Sequence, residues 1–237
     1  MTELALILLS TLCAGACIPL GGVLARVERL RPRWLETELR HSVIAFGGGV
    51  LIAAVAFVLV PAGNAFIGHP LAGVACLLTG GAAFFAFERV LGTQRRERPQ
   101  LTAMLLDYAP ESLALGGAFA AGSDTALLLA LFIGLQNVPE GFNAYRELRA
   151  TGHDGHTILR FMLWILPIGP VLALVGWLWL DEHTALLGGV MLFAAGGILY
   201  LVFQDIAPQA RMRRHWAPPL GAVAGFALGM LGMALVR

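Results

Sequence analysis

The chain contains no lysine: all sixteen basic residues are arginine. Charge is scarce throughout, at 13% of 237 residues, about half the share of an average soluble domain. No basic face is available for nucleic acid, which excludes that class of partner. Cysteine is limited to Cys13, Cys17 and Cys76, all in apolar stretches, so a disulfide framework is excluded. The N-terminus has no basic n-region before its first apolar run, so that run reads as a retained span and not as a cleaved leader. Neither a P-loop nor a Gly-x-Ser-x-Gly setting is present, so neither nucleotide-driven chemistry nor a serine nucleophile is expected. No prosthetic group is expected.

What is abundant is apolar surface. Hydrophobic residues make up 58% of the chain, and the mean hydropathy is +0.76. The sequence divides into eight apolar segments, at 4–24, 41–61, 70–91, 101–121, 125–145, 158–180, 185–207 and 218–236. Each approaches the roughly 20 residues that a helix needs to cross a bilayer. They lack the alternation of a barrel strand, so helices are expected. The predicted fold is all-α: one polytopic membrane domain over residues 1–237 with eight transmembrane helices. Its 29 glycines suit close helix packing.

Arginine placement sets the expected orientation. Fifteen of the sixteen lie in the first, third, fifth and seventh loops, and loops two, four and six have none. The positive-inside rule puts the odd loops in the cytoplasm and both termini outside.

Ionisable groups inside spans are functional hypotheses by default. The fourth span carries Asp107-Tyr108-Ala109-Pro110-Glu111-Ser112, and the fifth carries Gln136-Asn137-Val138-Pro139-Glu140-Gly141. They form a short internal repeat 29 residues apart. Asp107 and Glu111 share a helix face, as do Gln136 and Glu140. Each proline removes a backbone hydrogen bond and frees a carbonyl four residues back, so both helices should bend there. At a rise of 1.5 Å per residue, the two clusters fall at a similar depth, roughly 8–15 Å from the cytoplasmic surface. Three carboxylates without a basic partner in the membrane cannot all stay ionised. They hold protons or a cation, and oxygen ligands suit a divalent ion. The alternative is a set of neutral acids hydrogen-bonded between helices. Gln204 and Asp205 in the seventh span form a possible exit or gate, or cap that helix end. Glu88 reads as a snorkelling partner of Arg89. His153, Asp154 and His156 read as a solvated cytoplasmic loop.

At the paired Pro-Glu motifs the sequence resembles the ZIP (Zrt-/Irt-like) family of divalent-metal transporters. The likeness extends to Phe46-Gly47-Gly48-Gly49, to Ala194–Tyr200 followed by Gln204–Pro208, and to Gly225–Met230. It implies a ZIP-like bundle with termini outside, a homodimer in the cell membrane, and uptake of zinc, iron or manganese without enzymatic activity. By this resemblance the metal ligands are Asp107, Glu111, Gln136, Asn137 and Glu140. Asp107 stands where the family usually has histidine, Tyr108 where it has asparagine, and Gly169-Pro170 where a glutamate often precedes the proline. A carboxylate in place of imidazole implies a harder ion such as Mn²⁺ or Fe²⁺. Two alternatives stay open. One is a ZIP-fold protein that has lost transport and serves as a metal sensor or scaffold. The other is an intramembrane hydrolase using Asp107 and Asp205.

Overall fold

The computed structural model describes residues 3–27, 33–92, 99–180, 183–210 and 216–236. Every element among them is helical. In chain order they are α1 (Glu3–Val27), α2 (Arg33–Ala54), α3 (Val60–Ile67), α4 (Pro70–Gly92), α5 (Pro99–Ala120), α6 (Ala126–Ala150), α7 (Gly155–Ile165), α8 (Ile168–Leu180), α9 (Thr184–Leu201), α10 (Ala207–Ala210) and α11 (Leu220–Val236). Five helical stretches of the described residues are long and apolar enough to cross a bilayer: Glu3–Val27, Thr37–Ile67, Pro70–Val90, Gly155–Leu180 and Thr184–Ala210. The chain is a helical membrane protein. α11 is apolar but shorter, and α5 and α6 carry the polar motifs. Many of the arginines behind the expected orientation (Arg29, Arg31, Arg95, Arg96, Arg98, Arg211, Arg213 and Arg214) lie outside the described residues.

Proline explains where the rods depart from regular α-helix. α2 runs into α3 through a π-helical segment, Val55–Leu59, and α9 runs into α10 through another, Val202–Ile206. Each contains the carbonyl that the next proline cannot bond: Phe57 for Pro61, Gln204 for Pro208. Missing that donor and pushed by the ring, the helix widens there. The expected 158–180 span is instead two helices, α7 and α8, separated by a turn at Leu166-Pro167. By contrast, α5 and α6 continue as α-helix through Pro110 and Pro139.

Glycine sets the distance between helices. At the α1–α6 crossing, a Cβ on Gly141 would strike the Ile18 carbonyl oxygen, and one on Gly21 would strike the Val138 carbonyl oxygen. Each helix therefore brings its bare glycine against its partner's backbone. The same reciprocal arrangement joins α2 to α11 (Gly49, Gly225), α4 to α9 (Gly80, Gly196) and α5 to α8 (Gly116, Gly176). In lipid no hydrophobic gain drives helix association, so such van der Waals contact carries much of it. On α2, three successive glycines meet three neighbours: Gly47 faces Pro139, Gly48 faces Ile206 and Gly49 faces Ala222. A step of 100° per residue lets one turn of α2 touch α6, the π-helical segment after α9, and α11 in succession.

Candidate metal centre

α6 is the central helix of the bundle, packed against α1, α2 and α5. Its neighbours assign its faces. Asn137 donates through Nδ2 to the Ala14 carbonyl of α1 at 2.9 Å, on the side where Gly141 meets Ile18. Pro139 points at α2, where its Cγ lies 2.9 Å from the position a Gly47 Cβ would take. Gln136 points at α5. The middle of α6 is thus enclosed by protein, which is what allows its polar residues at all.

On that α5-facing side the two sequence motifs meet. The Gln136 amide Nε2 donates to Glu111 Oε2 at 2.6 Å. Both side chains are 0% exposed, and Glu140, one turn further along α6, is 5% exposed. Gln136, Glu140 and Asn143 follow an i, i+4, i+7 spacing and share one face. Asn143 is 4% exposed. This residue was missed from sequence, although the stripe it completes could have been read by extending the Gln136–Glu140 spacing by one turn. The amide oxygens of Gln136, Asn137 and Asn143 are buried without a hydrogen-bond donor among the described residues. Buried acceptors are nearly always satisfied, so these oxygens can take a hydrogen-bond donor or a cation. Glu111 and Glu140 add two carboxylates on the α5-facing side, whereas Asn137 lies at its edge toward α1. The donor set is all oxygen, which fits a divalent cation of hard or borderline character.

The remaining expected site residues are placed as follows. Asp107 lies on α5 one turn before Glu111, and its side chain is outside the described residues. Tyr108 is turned away from α6, its hydroxyl wedged against Gly15 of α1 and Gly169 of α8. Gln204 is exposed and Asp205 half-buried, both on the π-helical segment Val202–Ile206. Asp205 is within electrostatic reach of Glu88 on α4 and Glu147 on α6. Glu88 accepts a hydrogen bond from the Tyr200 hydroxyl at 2.9 Å, which ties α4 to α9. Among the described residues no three His, Cys, Asp or Glu side chains gather as a metal cluster. The site is one of carboxylates and amides together.

The chain is 38% identical over 109 residues to the zinc transporter GufA of Myxococcus xanthus. That match covers 46% of this chain and 43% of the relative. No family model matches the chain.

Proposed function

We propose that this protein carries a divalent metal ion, of the zinc, iron or manganese class, across the membrane as a ZIP-type transporter. The observation that carries the reading is the Glu111–Gln136 hydrogen bond, which joins the two Pro-Glu motifs across α5 and α6. The likeness to a zinc transporter supports the same reading. Glu111 and Glu140 bind the ion, with Gln136, Asp107 and Asn143 completing the oxygen shell and Asn137 at its edge. In this reading the chain crosses the cell membrane eight times with both termini outside, and works as a homodimer.

The route inward follows the polar stripe of α6. Glu147 continues the face of Gln136, Glu140 and Asn143, two turns beyond Glu140 and so roughly 10 Å further along the axis. There it comes within reach of Asp205, which acts with Gln204 as the exit gate. Transport runs without ATP, since the sequence offers no phosphate-binding loop.

The test is ion uptake into proteoliposomes loaded with a fluorescent metal indicator, across Zn²⁺, Fe²⁺ and Mn²⁺. Uptake by the wild type that is abolished in Glu111→Ala and in Glu140→Ala is the expected result. No uptake of any of the three ions would overturn the proposal, and metal binding without uptake would leave a sensor or scaffold.

A further inference from the structure

A second polar cavity lies apart from the metal centre, where the C-terminal ends of α1 and α6 meet the N-terminus of α7. It has a volume of about 510 Å³, and its lining includes Arg26, Tyr145, Arg146, Arg149, Asp154 and His156. Three guanidinium groups in one cavity repel a metal cation, so this is not part of an ion route.

Arg26 and Arg149 are each held in place by a hydrogen-bond acceptor. Arg26 Nη2 is 3.1 Å from His156 Nε2, and since a guanidinium only donates, the imidazole accepts. Arg149 Nη1 donates to the His153 carbonyl at 2.9 Å. The Arg146 guanidinium carbon stands 5.7 Å from the centre of the Phe142 ring, within cation–π range. The hydrogen bonds of Arg26 and Arg149 fix the direction of these two side chains, and each of the two guanidiniums keeps further N–H donors. Among the described residues Asp154 is the one carboxylate in the lining, and it lies within electrostatic reach of Arg149. Its Oδ2 accepts from the backbone N–H groups of His156 at 2.9 Å and Thr157 at 3.1 Å, capping α7. Tyr145 is buried, its hydroxyl 2.5 Å from where a Gly155 Cβ would stand, so glycine is what admits the phenol to this corner.

We infer that this cavity binds a phosphate group. Planar, fixed guanidinium forks are suited to phosphate oxygens in pairs, and Arg26 and Arg149 both bring such forks to this cavity with N–H donors to spare. The position at helix ends that flank apolar rods is where the headgroups of a bilayer lie, so the headgroup of an anionic phospholipid is the source we assign; basic pockets of this kind bind such headgroups. Free phosphate shares the chemistry and is separated by experiment.

The full-length protein in neutral detergent is titrated with short-chain phosphatidylglycerol, short-chain phosphatidylcholine and inorganic phosphate, reading the shift in thermal unfolding. Phosphatidylglycerol should stabilise the wild type at a concentration at least tenfold below that of phosphatidylcholine. Arg26→Gln combined with Arg149→Gln should raise the required concentration at least tenfold, a change of about 1.4 kcal/mol, while Zn²⁺ affinity stays at the wild-type value. If those variants fail to fold, Arg149→Lys keeps the charge, loses the fork, and should show a smaller loss in the same direction. The effect should weaken with added salt. Stabilisation by inorganic phosphate equal to that by phosphatidylglycerol would overturn the lipid assignment and leave a soluble phosphate ligand. Equal response to all three probes, or a shift unchanged by the arginine substitutions, would overturn the site. Because the readout does not use metal transport, failure here leaves the transport proposal untouched.

Discussion

Exchanging the two partners of the α5–α6 hydrogen bond tests the metal centre most directly. Glu111→Gln removes one of the three proposed carboxylates but keeps an amide that can still pair with Gln136. Metal affinity should fall at least 100-fold, about 2.7 kcal/mol, whereas stability without metal should hold or rise, because one fewer buried charge must be accommodated. Gln136→Glu does the reverse. It places a second carboxylate oxygen where Nε2 now lies, 2.6 Å from Glu111 Oε2. Two full charges at that distance would repel by about 6 kcal/mol at an effective dielectric of about 20. The pair therefore retains a proton until a cation displaces it. Binding to Gln136→Glu should release about one more proton than binding to the wild type, and affinity should rise more steeply with pH. The double exchange, Glu111→Gln with Gln136→Glu, restores one acid and one amide and should recover most of the lost affinity. The assay is isothermal titration with Zn²⁺ in two buffers of different ionisation enthalpy. Affinity within threefold of wild type for Glu111→Gln, together with no extra proton for Gln136→Glu, would refute the reasoning and leave neutral acids bonded between helices.

Four further outcomes are expected. Asp107→His should raise the Zn²⁺/Mn²⁺ affinity ratio about tenfold, since imidazole is the softer ligand; competitive titration with both ions checks this, and a flat ratio would remove Asp107 from the shell. Gly141→Ala should cost about 1–3 kcal/mol in thermal unfolding through overpacking, because its Cβ meets the backbone carbonyl of Ile18; Gly189→Ala, whose Cβ would find only Cys76 Sγ at 3.7 Å, is the tolerated control. The backbone N–H of Thr157, with that of His156, holds the Asp154 carboxyl below its ordinary value of 3.8. A lowered folded-state pKa lends stability above the ordinary value and loses it as pH falls through the lowered one. Asp154→Ala should therefore lower Tm at neutral pH, and the difference should close in strong acid. In a cysteine-free background, cysteines placed at His69 and Asp124 should react with an impermeant thiol reagent from outside intact cells, and one at Thr151 should not; the opposite pattern would invert the topology.

The sequence by itself determined that the chain is helical and membrane-embedded, because 58% apolar content in long segments leaves the backbone few other ways to satisfy its hydrogen bonds in lipid. It also marked Glu111 and Glu140 as the residues to watch, because an acid beside an intramembrane proline is costly and locally visible. What a linear pattern could not decide was which faces meet. The spacing of Gln136 and Asn137 is the same for every rotation of α6, yet the fold turns Gln136 to Glu111 and Asn137 to the Ala14 carbonyl. The reciprocal glycines decide that rotation, since Gly21 and Gly141 permit backbone contact along one line only. Proline gave its presence but not its effect: Pro61 and Pro208 follow π-helical turns, whereas α-helix continues through Pro110 and Pro139. Arginine gave its count per loop, and only the convergence of α1, α6 and α7 gathered Arg26, Arg146 and Arg149 around one cavity, because their proximity depends on where separate helices end in space and not on their distance along the chain.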